Sequence, residues 1–188
     1  MKTSKKEIQD ILKAWTAISV AFAIVLRDSV TNIFLSFVLA AITVGIGFLL
    51  HELSHKYFAQ RYGYMAEFRS FDSMLFLAII FSFFGFVFAA PGAVMIQGNL
   101  NKRKNGIVSL VGPLMNLLLA LVFLLIIFVF ESGFANLLGT YGFRINTWLA
   151  LFNMVPLWNF DGKKVFDWNK VVYFVFVAIV LFFMFAFV

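Results

Sequence analysis

The sequence predicts an all-α polytopic membrane protein, with about five to six transmembrane helices and a short re-entrant β-strand region near a polar site. Three observations carry that prediction. Of the 188 residues, 63% are apolar and 27 are phenylalanine, against roughly 45–50% apolar residues in soluble domains. Mean hydropathy is +0.96, and the apolar residues fall into six stretches separated by short charged segments. The two histidines stand four apart at the end of one such stretch, where ionisable groups are costly and functional by default.

The net charge of +6 follows from lysine and arginine in cytoplasmic loops, which orient a membrane chain. No basic face with interleaved aromatics occurs on a soluble-length segment, so nucleic-acid binding is not expected. The absence of cysteine excludes disulfides and thiolate metal ligands. There is no internal repeat, low-complexity segment or soluble domain. Residues 1–188 are expected to form one integral membrane domain, with its motif-bearing core at about 30–164.

The first stretch, about Ile8 to Leu26, follows a basic N-terminus, and Ala21-Phe22-Ala23 lies inside it rather than after it. A retained signal-anchor helix is expected. Lys2, Lys5, Lys6 and Lys13 place the N-terminus in the cytoplasm, with Lys13 free to snorkel. Arg27, Asp28 and Ser29 make a turn, and Ser29 or Thr31 caps the second helix, about Val30 to Arg61. That helix returns, bringing Lys56 and Arg61 to the cytoplasmic side. The third stretch, Met74 to Ala90, ends in Pro91-Gly92 and the β-prone Ala93-Val94-Met95-Ile96. If it crossed the bilayer, Lys102-Arg103-Lys104 and Asp161-Gly162-Lys163-Lys164 would lie outside, against the positive-inside rule. A re-entrant excursion returning through Pro91 to Gly98 keeps both inside. Non-helical backbone at membrane depth needs cover from protein or a wet cavity, so Pro91 to Gly98 is expected as a strand lining a wet site. A sixth ordinary span is the alternative. A basic loop, Asn101 to Asn105, then leads to a helix from Gly106 to Phe130. After a loop from Glu131 to Thr140, Tyr141 to Trp158 is apolar but interrupted at Asn153 and Pro156, and Val171 to Val188 is the last stretch.

His51-Glu52-Leu53-Ser54-His55 follows the uncharged run Ile33 to Leu50. On a helix, residues i and i+4 share a face, so both imidazoles reach one metal ion. Two imidazoles with an adjacent carboxylate suit Zn²⁺, and Glu52 is placed as base toward a bound water. A catalytic zinc site commonly takes a third protein ligand. Here it must be a carboxylate, with Asp28, Glu67, Asp72, Glu131, Asp161 and Asp167 as candidates. Asp28 and Glu131 fall at the outer surface in this topology, and Glu67 and Asp72 read as ordinary loop charges. Asp161 follows a broken apolar segment and comes to the same leaflet as the histidines.

Three motifs in order resemble the site-2 protease class of intramembrane zinc metalloproteases (peptidase family M50). They are His51-Glu52-Leu53-Ser54-His55, then Gly112-Pro113-Leu114-Met115-Asn116, then Asn153-Met154-Val155-Pro156-Leu157-Trp158-Asn159-Phe160-Asp161-Gly162, which fits N-x-x-P-x-x-x-x-D-G. The resemblance spans about Val30 to Lys164 and is to the compact prokaryotic, especially archaeal, forms that lack PDZ and CBS domains. It implies one zinc ion per chain on His51, His55 and Asp161, with Glu52 as catalytic base. Asn153 and Asn116 would hold substrate or organise the site. The implied activity is hydrolysis of single-span transmembrane substrate proteins within a cell membrane. The edge of Ala93 to Ile96, with Val94 and Met95 at its centre, would hold the unwound substrate by strand addition. The rival readings are a catalytically inert metal-binding scaffold, against which Glu52 speaks, and a metal transporter, for which inverted repeats are lacking.

Overall fold

The computed structural model describes residues 1–27, 30, 32–87 and 91–187. Asp28, Ser29 and Thr31, expected in the first turn and its cap, lie outside the described residues. So do residues 88–90 at the end of the third apolar stretch.

Helix α1 (Lys5–Leu26) starts at Ser4, whose hydroxyl accepts from the Glu7 amide. Asn32 caps the second helix, accepting from the Phe34 and Leu35 amides. That helix runs unbroken over Ile33–Arg61 as α2 (Ile33–Ala40), one π-helical turn (Ala41–Gly45) and α3 (Ile46–Arg61). After a tight turn comes β1 (Met65–Ser70), then α4 (Asp72–Ser82) and β2 (Gly92–Gln97). The remaining helices are α5 (Lys102–Val129), α6 (Gly133–Asn153), α7 (Asp161–Trp168) and α8 (Lys170–Ala186).

By length and composition, three of the described helices suffice to cross a membrane: Lys5–Leu26, Ile33–Arg61 and Lys102–Val129. That is fewer than the five to six expected, for local reasons. Helix α4 has 11 residues, only about 16 Å at 1.5 Å each, against roughly 30 Å of hydrocarbon. Helix α6 carries Arg144, Asn146, Thr147 and three glycines. Helix α8, with 17 residues, falls just short in length.

The strands pair antiparallel, with Ser70 facing Gly92 and Met65 facing Gln97. Hence the excursion through α4 ends beside its own start. Strand β2 lies where Pro91 to Gly98 was expected, but β1 was not anticipated. Two loop expectations are corrected as well. Lys102 to Lys104 form the first turn of α5, because Asn101 caps it by accepting from the Lys104 amide. Most of Glu131 to Thr140 is already α6.

Alternation buries one face of the sheet. Phe68 packs with Ala14 and Leu75, and Ala66 with Ala59 and Val108, so the sheet is wedged among α1, α3, α4 and α5. Full burial of Phe68 alone is worth about 1.5–3 kcal/mol. A second core, Leu117, Ala150, Met154, Val165, Tyr173, Phe176 and Val180, locks α5 to α8 together. It thereby holds α7, which starts at Asp161, against α5.

Candidate metal centre

His51 and His55 project from α3 toward α5, one helical turn apart, and both are buried. Their ring nitrogens have separate duties. His55 Nδ1 lies 2.6 Å from the Val108 carbonyl oxygen. A carbonyl only accepts, so Nδ1 carries the proton and Nε2 presents a lone pair. His51 Nδ1 lies 2.6 Å from Asn116 Oδ1, and here the orientation is relayed. Asn146 donates Nδ2 to the Thr43 and Gly142 carbonyls and so turns Oδ1 toward Asn116. Asn116 donates Nδ2 to that oxygen and to the Gly47 carbonyl, leaving Oδ1 to accept from His51. Thr43 and Gly47 flank the end of the π-helical turn, where the widened ladder offers carbonyls to neighbours. Such outer partners fix the tautomer of metal-binding histidines.

Both Nε2 atoms therefore aim lone pairs at one point, 3.0 Å apart. Asp161 Oδ2 completes the group, 3.3 Å from His51 Nε2 and 3.0 Å from His55 Nε2. Asp161 reaches this place because α6 ends at Asn153, ahead of Pro156, whose predecessor is barred from helix. Gly162 then lets α7 start tightly, since a Cβ there would fall 2.1 Å from the Met154 carbonyl oxygen.

The donor set fits zinc. Three acceptors converge, two imidazole nitrogens and one carboxylate oxygen, all within 4.8 Å of one another. Ligands about 2.0–2.2 Å from a tetrahedral ion stand roughly 3.3–3.5 Å apart, close to the spacing found. The space in front of the nitrogens is kept by Gly112. A Cβ built there would sit 2.4 Å from His55 Cε1, 2.5 Å from His55 Nε2 and 2.7 Å from His51 Nε2. An alanine methyl would intrude on the space that the two nitrogens face.

Glu52 lies beside this group, its Oε2 accepting from the Val94 amide of β2 at 3.0 Å. Val94 is half-buried and Met95 is exposed. Asn116 is fully buried and bonded to His51, so its side chain orients that imidazole. Asn153 is half-buried and donates Nδ2 to Leu149 within its own helix at 2.9 Å. Sequence reasoning missed Asn146 and the Val108 carbonyl. An asparagine in the middle of the apolar α6 was an available signal, whereas a backbone acceptor leaves none. Three of the other carboxylate candidates pair elsewhere: Asp72 with Lys13, Glu67 with Arg69 and Asp167 with Lys163.

The chain is 40% identical, over 174 residues, to a protein of Methanocaldococcus jannaschii named "Putative zinc metalloprotease MJ0611". The match covers 90% of this chain and 88% of that one. No protein-family model matches the chain, and no solved structure matches it.

Proposed function

The chain belongs to the family of that archaeal protein, and on this premise we propose that it is a zinc-dependent intramembrane endopeptidase of the site-2 protease class. The observation that carries the reading is the convergence of His51, His55 and Asp161 beside Glu52, which itself touches a strand edge. His51 and His55 would hold one ion through Nε2 and Asp161 through a carboxylate oxygen. When bound, zinc supplies Lewis acidity, polarising the scissile carbonyl and lowering the pKa of the attacking water toward ~7. Glu52 takes the proton from that water and delivers it to the leaving amine. Asn116 and the Val108 carbonyl keep the imidazoles turned.

The substrates are single-span transmembrane proteins. Their helices satisfy their own backbone, so a segment must unwind before hydrolysis. The outer edge of β2 at Val94 and Met95 receives it as an added strand, and Asn153 at the end of α6 helps to hold it. The N-terminus is cytoplasmic, the excursion through α4 is re-entrant, and α6 and α8 complete a five-span, multi-pass topology with the site near the cytoplasmic boundary.

Detergent-purified protein incubated with single-span substrates tests the activity. Cleavage should vanish with a zinc chelator and return with added zinc, and chelator-insensitive cleavage would remove the metalloprotease reading. Topology is tested by Arg103→Cys in this cysteine-free chain. Labelling from the cytoplasmic side is expected, and labelling only from outside would mean that the α4 segment crosses.

A further inference from the structure

The two edges of the sheet are not equivalent. In an antiparallel pair, facing residues alternate between those that exchange hydrogen bonds and those that turn their amides outward. Phe68 faces Val94, and both turn outward: the Phe68 N–H donates to Glu7 at 2.9 Å and the Val94 N–H to Glu52 at 3.0 Å. Ala66 faces Ile96 in the same phase, and the Ala66 carbonyl accepts from Gln60 at 2.9 Å. The β1 edge is thus closed by side chains of α1 and α3. On the β2 edge, Glu52 engages the Val94 N–H. Among the described residues, nothing bonds the Val94 carbonyl or the Ile96 N–H and carbonyl. A strand joining this edge needs the Val94 N–H for one of its own carbonyls, so it contends with Glu52 for a single donor.

We propose that Val94 is a specificity-determining residue: its N–H holds the Glu52 carboxylate while the β2 edge is bare and passes to a backbone carbonyl of the substrate when a strand adds. This rests on the proteolytic reading for its meaning. Strand pairing and release of Glu52 toward the attacking water are then one event. The enzyme favours segments able to extend into a strand over helical or proline-blocked ones, which leave Glu52 on Val94.

The competition can be measured by binding, without turnover. The full chain in detergent is titrated with a fluorescein-labelled heptapeptide of alternating valine and threonine. Glu52→Ala removes the competitor and should tighten binding by about tenfold, the effect of one charge-assisted hydrogen bond. Val94→Pro removes the donor at an edge position where proline is tolerated, and should weaken binding by a similar factor. Val94→Ala keeps the amide and should restore affinity relative to Val94→Pro. If Val94→Pro does not fold, an ester in place of the Val94 amide gives the same reading. Equal or weaker binding by Glu52→Ala, or no binding by wild type, overturns the proposal. Binding that behaves as expected in a protein that cleaves nothing would instead sink the proteolytic reading and leave the contest for Val94 standing.

Discussion

Two buried ionic clusters flank α3, built from consecutive residues, His55 and Lys56, which leave the helix about 100° apart. On one side, Lys56 and Glu7 are fully buried and joined at 2.5 Å. Lys56 also donates to Thr3, and Glu7 accepts from the Phe68 amide. Positive meets negative, and every polar atom finds a partner. On the other side, two imidazole lone pairs and a carboxylate point at one another. With both imidazoles neutral, as metal binding requires, acceptors outnumber donors there, and a cation would complete the cluster. A buried cluster that balances its own charge is architecture, and one that does not is a site.

Single substitutions should separate these roles. Asp161→Asn removes the one anionic ligand, and zinc retention, read by metal analysis of purified protein, should fall by several orders of magnitude while the protein stays inserted and folded. Lys56→Met should do the reverse. It strands the Glu7 carboxylate in the interior and should cost about 3–5 kcal/mol of stability, visible in thermal unfolding, while the folded fraction keeps its zinc. The double variant Glu7→Gln with Lys56→Met should recover much of that loss. Smaller effects belong to the supports of the ligands: Asn116→Ala frees the His51 ring, and zinc affinity should drop by about 10–100-fold. Asp167→Asn, at an exposed pair with Lys163, should change neither zinc content nor stability. A loss of zinc in Lys56→Met as large as in Asp161→Asn would erase the distinction.

The histidine side of α3 could be read from residue order, because i and i+4 share a helix face whatever the rest of the chain does. Asp161 stands 106 residues after His55, and spacing alone left it among several carboxylates. The Glu7–Lys56 pair was invisible for the opposite reason. An acid among N-terminal lysines and a lysine near a helix end both look like interfacial charge, and only the packing of α1 against α3 and β1 brings them together. Strand β1 escaped notice because Met65–Ser70 contains Glu67 and Arg69 and has no sustained apolar run. It is a strand because β2 pairs with it and because Phe68 and Ala66 fill the core beneath. The start of α6 was hidden by Gly133, Asn136, Gly139 and Thr140, loop-like residues that tolerate a helix when α5 packs along it.

The unbalanced cluster is held to be a zinc site that serves hydrolysis, with Glu52 beside the metal rather than bound to it. Glu52→Gln tests this most directly, because it keeps the size of the side chain and removes its capacity as a base. Metal analysis and cleavage of a single-span substrate should be run on the same purified sample. The expected result is zinc content equal to wild type, with the cleavage rate lower by about 10²–10⁴-fold. Cleavage at the wild-type rate, or loss of zinc along with activity, would contradict the assignment of Glu52 and of the site built around it.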